Sequence, residues 1–346
     1  MAAEYFFREF QENQHRTLNR AVEAYQAYLE TVQAGQPLKG GMHWKKIKGR
    51  EYLYKYRDRY GRGHSLGPRS PHTERLWAEF GRQRREITAQ LHARRRQVAE
   101  AARFCRAALI HRVPEPVVRI LRRLTASDLT HAPFMVIDTH ALHAFEFAAG
   151  VFIDAPRGSP FWAGAVQGLT LAATAAVAPE VFLGRLRQAD RSFQALPDEG
   201  LAAVNKTGFR VKVWRPPTGR PPFRTMGQDA SGGAAPAESG DLASLLGTPK
   251  FSQVVIGRRG DPVTMTVPDP RALALHKLWL SRREDRSLLE QTRDRRQAAA
   301  LAELILRYLP QYHFFSAELQ RFPVEVARLA EGLVEGYEVA PDLKVD

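Results

Sequence analysis

Apolar residues in the first third of the chain recur at helical spacing. Leu18, Val22, Tyr25, Leu29 and Val32 step by four and three, which predicts a helix over residues 3–33 with a heptad-like seam. A second helix is predicted over 72–111, where Leu76, Phe80, Ile87, Leu91, Val98, Ala102, Cys105 and Leu109 keep the same rhythm between Pro71 and Pro114. Two seamed helices of this kind can pair antiparallel as a stalk. Between them the period drops to two. Tyr52, Tyr54 and Tyr56 alternate, so they share one face of a strand. A three-stranded meander is expected over about 42–67, with its first turn at Gly49-Arg50 or at Lys48-Gly49.

From Phe134 onward strand and helix patterns alternate. Residues 134–137 read as a buried strand, 139–149 as a helix, 166–172 as a strand, 179–193 as a helix and 208–214 as a strand. Residues 215–241 are rich in Pro, Gly, Ala and Ser and read as a linker. Strands follow at 251–257 and 262–267. After Pro268-Asp269-Pro270 the pattern is helical over 271–283, 287–308 and 323–336. These shifts suggest three parts: a stalk with its meander (1–125), a mixed α/β domain (126–268) and a helical subdomain (269–346).

Charge changes the picture of the first part. The chain carries a net charge of +14. Between Lys39 and Arg123 there are 23 Lys+Arg and 7 Asp+Glu, a net of +16, whereas the remainder holds 28 and 30, a net of −2. Confined positive charge favours a polyanionic partner, because neutralised phosphates release counterions. In the meander Trp44, Tyr52 and Tyr54 interleave with Lys45, Lys46, Lys48, Arg50, Lys55, Arg57, Arg59 and Arg62. Such a surface can engage phosphates while aromatic rings stack on bases. The competing reading is that the tyrosines pack on the adjoining helices and the cations only solubilise the sheet.

Other classes are excluded by composition. A single cysteine, Cys105, rules out an internal disulfide or a cysteine-rich metal site, and its apolar helical position reads as core. The longest weakly polar run, Ala163 to Leu183, is interrupted by Gln167, Thr170, Thr174, Pro179 and Glu180, so no membrane span is expected. The opening MAAEYFFREFQ lacks the basic flank and apolar core of a secretory signal, and a cytoplasmic location is expected.

Several phrases carry a resemblance. They are Thr139-His-Ala-Leu-His-Ala-Phe-Glu146 after a buried strand, Ala203-Val-Asn-Lys-Thr-Gly-Phe209 before another, Val267-Pro-Asp-Pro-Arg-Ala-Leu-Ala-Leu-His-Lys-Leu-Trp-Leu280, and Arg293-Asp294 followed by Gln297-Ala298. Lys48-Gly-Arg-Glu-Tyr-Leu-Tyr54 and Ser65-Leu-Gly-Pro-Arg-Ser70 add to them. Together they resemble a bacterial family of nucleotidyltransferase-fold proteins, distantly similar to the minimal nucleotidyltransferases and to the nucleotidyltransferase toxins of abortive-infection systems. The resemblance implies an α/β (α+β) fold: a mixed sheet with helices, followed by a C-terminal helical subdomain.

It also implies a site. In that superfamily a glycine closes the turn after the first strand, an Asp-x-Asp pair sits on the next strand, and a third acid comes from a later one. Carboxylates at i and i+2 point to one face, and with a third they hold two Mg²⁺ ions for nucleotidyl transfer. Here the corresponding positions are Asp138, Gly168, Thr170 and Lys212. Residues 155 to 179 contain no acid, so a shift of register does not restore the pair. A lysine at the third position would repel a divalent ion or take its place, unless its side chain simply reaches solvent.

Thr139, Lys277 and Arg293 are the residues expected to face a nucleotide or phosphate, with Arg293-Asp294 alternatively a structural ion pair. The expected function is a catalytically degenerate nucleotidyltransferase-fold protein that binds nucleic acid or a protein partner, without cofactor. The alternatives are an active enzyme using Mg²⁺ and NTP to modify RNA, protein or a small molecule, and an assembly subunit joined through its helical seams. No membrane partner is expected.

Overall fold

The computed structural model describes residues 5–56, 63–125, 134–163, 167–173, 177–214, 245–315, 319, 326 and 328–338. The expected linker at 215–241 lies outside them. The chain divides into two compact units: a smaller one of residues 16–110 and 259–262, and a larger one of 1–15, 111–258 and 263–346. No described helix is long and apolar enough to cross a membrane.

The chain opens with strand β1 (Phe6–Glu9) and helix α1 (Glu12–Ala34), not with a helix from residue 3. β1 pairs antiparallel with β6 (Val151–Asp154), a partner that local pattern does not reveal. In the smaller unit the meander forms as expected from β2 (Gly41–Ile47), β3 (Arg50–Tyr56) and β4 (Gly63–Pro68). Its first turn is centred on Lys48-Gly49, both with positive φ (45° and 82°). That conformation matches the twist of the flanking strands. Helix α2 (Pro71–Ala107) then starts on a capping box, in which the Ser70 hydroxyl accepts from Thr73 N–H and the Thr73 hydroxyl accepts from Ser70 N–H. The seam is narrower than its spacing suggests. Phe80, Ala101, Ala102 and Cys105 are buried, but Leu76 and Leu109 are exposed. Burial pushes the Cys105 thiol up to about 12, which keeps it protonated and inert.

The larger unit is built around a five-stranded sheet ordered β5-β7-β10-β9-β8, comprising β5 (Phe134–Val136), β7 (Gly168–Ala173), β8 (Gln194–Ala195), β9 (Ala202–Val204) and β10 (Arg210–Trp214). Only β7 and β10 run parallel; the other pairs are antiparallel. The helices α3 (Glu115–Thr125), α4 (Leu142–Ala149) and α5 (Pro179–Ala189) belong to this unit, as do strand β11 (Lys250–Ile256) and, from Val263 on, strand β12 (Pro262–Pro268). The C-terminal helices are α6 (Pro270–Leu280), α7 (Leu288–Tyr308) and α8 (Leu329–Glu338). Leu273 and Leu275 of α6 and Leu301, Leu304 and Ile305 of α7 are fully buried, so these helices complete the core.

A fully buried carboxylate, Glu146, ties three segments together. It accepts from Arg112 (2.9 Å), from His143 Nδ1 (2.7 Å) and from the Ile153 N–H (2.7 Å). Burial opposes its charge, but the Arg112 guanidinium and His143 outweigh that and hold the carboxyl below its usual range.

Candidate functional site

The site grows from the end of β5. Its last ladder bond is Ile137 N–H to the Thr170 carbonyl (3.1 Å), after which Asp138 turns the chain into a 3-10 turn over Thr139–Ala141 and then α4. The Asp138 carboxylate closes this turn. One oxygen accepts from His140 N–H (2.9 Å) and the other from Thr170 N–H (2.5 Å). Both of its oxygens are thus engaged by backbone. Thr139 is buried and its hydroxyl accepts from Gln297 of α7 (3.2 Å), which also donates to the Phe161 carbonyl.

On the sheet, the parallel register sets Gly168 beside Arg210 and Thr170 beside Lys212. Residues two apart share a face, so these four positions form one patch. Gly168 is there for want of space. A Cβ at this residue would lie 2.6 Å from the Arg210 carbonyl oxygen, closer than any side chain tolerates. Lys212 is exposed and, among the described residues, its ammonium has no acidic partner.

Above the patch, α6, α7 and the loop between them supply cations. Lys277 donates to Asp294 (2.9 Å), and Arg286 (3.0 Å) and Arg293 (3.3 Å) reach the same carboxylate. Asp294 is fully buried; burial opposes its charge, but Lys277, Arg293 and Arg286 hold it below its ordinary range. Burial pulls Lys277 down from its ordinary value, with Asp294 opposing. Burial, and then the Lys277 charge, depress His276 to about 3, so this imidazole is neutral at physiological pH and cannot serve as an acid near neutrality.

These groups line a single cavity of about 470 Å³. It gathers Asp138, Thr139, Gly168, Thr170, Lys212, Lys277 and Arg293, every cleft residue singled out in the sequence. It adds residues that local pattern did not flag: Arg210, Glu199, Arg286, Glu290 and Trp279. Trp214 and Arg210 could have been found from Lys212, since all three lie two apart on β10. Arg286 stands in the loop before α7, where no periodicity points to it.

The donor set does not fit a pair of Mg²⁺ ions. Asp138 is held by two N–H groups, Glu199 pairs with Arg210 (3.3 Å), and Glu290 caps Ser287 and faces Arg286. Among the described residues, no group of three or more His, Cys, Asp or Glu side chains could hold a metal ion. Hard cations of this kind require several oxygen ligands converging on one point.

The basic meander forms a separate surface in the smaller unit. His43 lies opposite Tyr54 and Lys45 opposite Tyr52, so these residues share a face with Tyr56. Tyr54 and Tyr56 stack at 6.1 Å, His43 lies 5.8 Å from Tyr56, and the Lys45 ammonium sits 5.5 Å over Tyr54. The opposite face packs on α2: Leu53 is fully buried, Lys55 lies over Phe80, and Arg69 covers Trp44. Trp44 and Lys55 therefore belong to the packed face, and the tyrosine row is turned away from the helix. Lys48 stands in the first turn, Arg50 follows it, and Lys46 is exposed. Arg57, Arg59 and Arg62 lie outside the described residues.

Residues 115–320 match the model of a family described as nucleotidyltransferase. The chain has no significant match among curated proteins or among solved structures. The match covers well over half of the chain and spans the sheet, the turn at Asp138 and the helices that roof the cavity: this chain belongs to that nucleotidyltransferase family.

Proposed function

We propose that this nucleotidyltransferase-fold protein has lost two-metal nucleotidyl transfer and acts by binding nucleic acid. The register of β7 on β10 carries the first half of the reading. The positions that would bear three acids hold Gly168, Thr170 and Lys212 side by side on the cavity floor. The backbone of Arg210 leaves no room for a side chain at the first of them. An ammonium at the third supplies one fixed positive charge where a metal would otherwise sit, and it repels divalent ions.

The second half rests on the smaller unit. The tyrosine face combines stacked rings with Lys45 and turns away from the helix that its other face packs on, which is the arrangement a single strand uses for base stacking. The test has two arms. Incubation with Mg²⁺- or Mn²⁺-NTP and RNA, protein or small-molecule acceptors is expected to give no transfer. Binding of a labelled single strand is expected at low salt and to weaken steeply as salt rises. Transfer abolished by one cleft substitution would restore the enzyme reading. Absence of binding at low salt would leave an assembly role for the helical seams.

A further inference from the structure

The longest helix carries a second charged surface, distinct from the tyrosine face. On α2, Arg84, Arg95 and Arg106 are spaced by eleven residues, as are Arg85 and Arg96, and as are His92 and Arg103. Eleven residues are close to three turns of an α-helix, so each series runs almost in line along the axis, at intervals of about 16 Å. All six arginines are exposed. Among the described residues none of them forms a side-chain hydrogen bond or an ion pair. The ridge from Arg84 to Arg106 is about 33 Å long. Between its rows, Gly81, Thr88 and Ala89 keep the surface low, and with Arg84, Arg85 and His92 they line a shallow groove.

Three of the four acids of α2 are kept off this ridge; the fourth, Glu100, stands beside it between Arg96 and Arg103. Glu79 and Glu86 both pair with Arg82 on another side of the helix. Glu74 pairs with Arg69 before the ridge begins. Six exposed arginines against one exposed carboxylate leave the ridge a rigid array of net positive charge, and among the described residues Glu100 forms no ion pair with them.

We infer that the α2 arginine ridge is a docking surface for the sugar-phosphate backbone of a nucleic-acid duplex. A duplex carries one charge per about 1.7 Å of axis, and one turn of it is about 34 Å, close to the length of the ridge. Both bodies are stiff, so their charges meet without either chain being ordered. A flexible single strand would have to be straightened along the ridge, where the exposed rings, Trp77, His92 and Phe104, are at least twelve residues apart. The contact reads phosphates rather than base edges, so it is independent of sequence. The inference deepens the nucleic-acid reading above, but it concerns other residues.

The experiment uses the full chain with a labelled duplex DNA of about two turns, the equivalent duplex RNA, and a single strand of the same length, each over a series of salt concentrations. The variants are Arg84→Gln/Arg95→Gln/Arg106→Gln and, separately, Tyr54→Ala/Lys45→Ala. Each lost phosphate contact lowers the salt slope by about 1, so the arginine variant is expected to lose about 3 from the duplex slope and to keep its single-strand binding. Circular dichroism checks that both variants fold. Duplex binding by DNA alone, by RNA alone or by both supports the ridge and identifies the partner. Undetectable duplex binding at low salt, or an arginine variant with wild-type affinity and slope, overturns it. So does equal competition by polyglutamate at matched charge. Loss of duplex binding in the tyrosine variant only would overturn the ridge and leave the meander reading intact. Loss in the arginine variant, with single strands never bound, would do the reverse.

Discussion

The cleft of the larger unit and the surface of the smaller one are both rich in cations, but they use them differently. In the cleft Lys277, Arg286 and Arg293 converge on one buried carboxylate, Asp294, and Arg210 faces Glu199. Their charge is committed to the fold. On α2 and the outer face of the meander the cations are exposed, and the ridge arginines have no partners among the described residues. Positive charge that is internally satisfied braces a structure; positive charge left open is free to meet a partner or only solvent. The difference teaches that a count of basic residues says little until their partners are known.

The largest expected effect tests whether the cleft cations are structural. Asp294→Asn leaves three cations around a buried neutral group, and breaking a buried pair in this way costs about 3–5 kcal/mol. Thermal unfolding should show a marked fall in Tm, partly recovered when Lys277→Met is added. An unchanged Tm would mean that the cleft charges are as free as those of the ridge.

Next comes Gly168→Asp, the substitution that nominally returns the first acid. The Arg210 carbonyl must move to admit a Cβ, and forcing such contacts costs about 1–3 kcal/mol. Chemical denaturation should register that loss. A fully stable variant that gains affinity for Mn²⁺ would show that the cleft remains convertible.

Of similar size is Tyr54→Ala on the open surface. Stacking of one base on an aromatic ring contributes about 1–3 kcal/mol, so single-strand affinity should fall by that amount while stability holds. Acid probes the same buried cluster over a window of pH. His276 is held neutral at about 3 against an ordinary 6.5, so the unfolded chain takes up a proton that the folded chain refuses. That contribution to stability is fully present above 6.5 and is lost progressively as pH falls from 6.5 towards 3. Denaturant midpoints measured across that window should decline, and His276→Gln should flatten the decline. Smallest of all, Glu79→Gln removes an exposed partner of Arg82 and should leave the unfolding midpoint unchanged.

Much of the fold was legible wherever periodicity is local. The tyrosine alternation located β3, and Pro71 marked the start of α2. The cleft was legible through the family resemblance, which set Thr170 and Lys212 at corresponding positions, and strand periodicity then fixed their faces; the pairing of their strands came from the structure. What the sequence hid depends on distant partners. β1 reads as the start of a helix because its pairing with β6 lies some 150 residues away. The short strands β8 and β9 owe their form to the sheet they join. α3 is hidden although Val117, Val118, Ile120, Leu121 and Leu124 are all buried, because Pro114 reads as the end of the preceding helix. Which tyrosine face is open followed from Leu53 and Phe80, and no local pattern ranks two half-buried faces.

The central claim, that this nucleotidyltransferase cleft no longer holds catalytic metal, is tested most directly by titrating Mn²⁺ against the full chain by electron paramagnetic resonance, with and without NTP. The expected result is that free and NTP-bound Mn²⁺ signals are unaltered by the protein. Saturable, protein-dependent Mn²⁺ binding that is weakened by Asp138→Asn would contradict it.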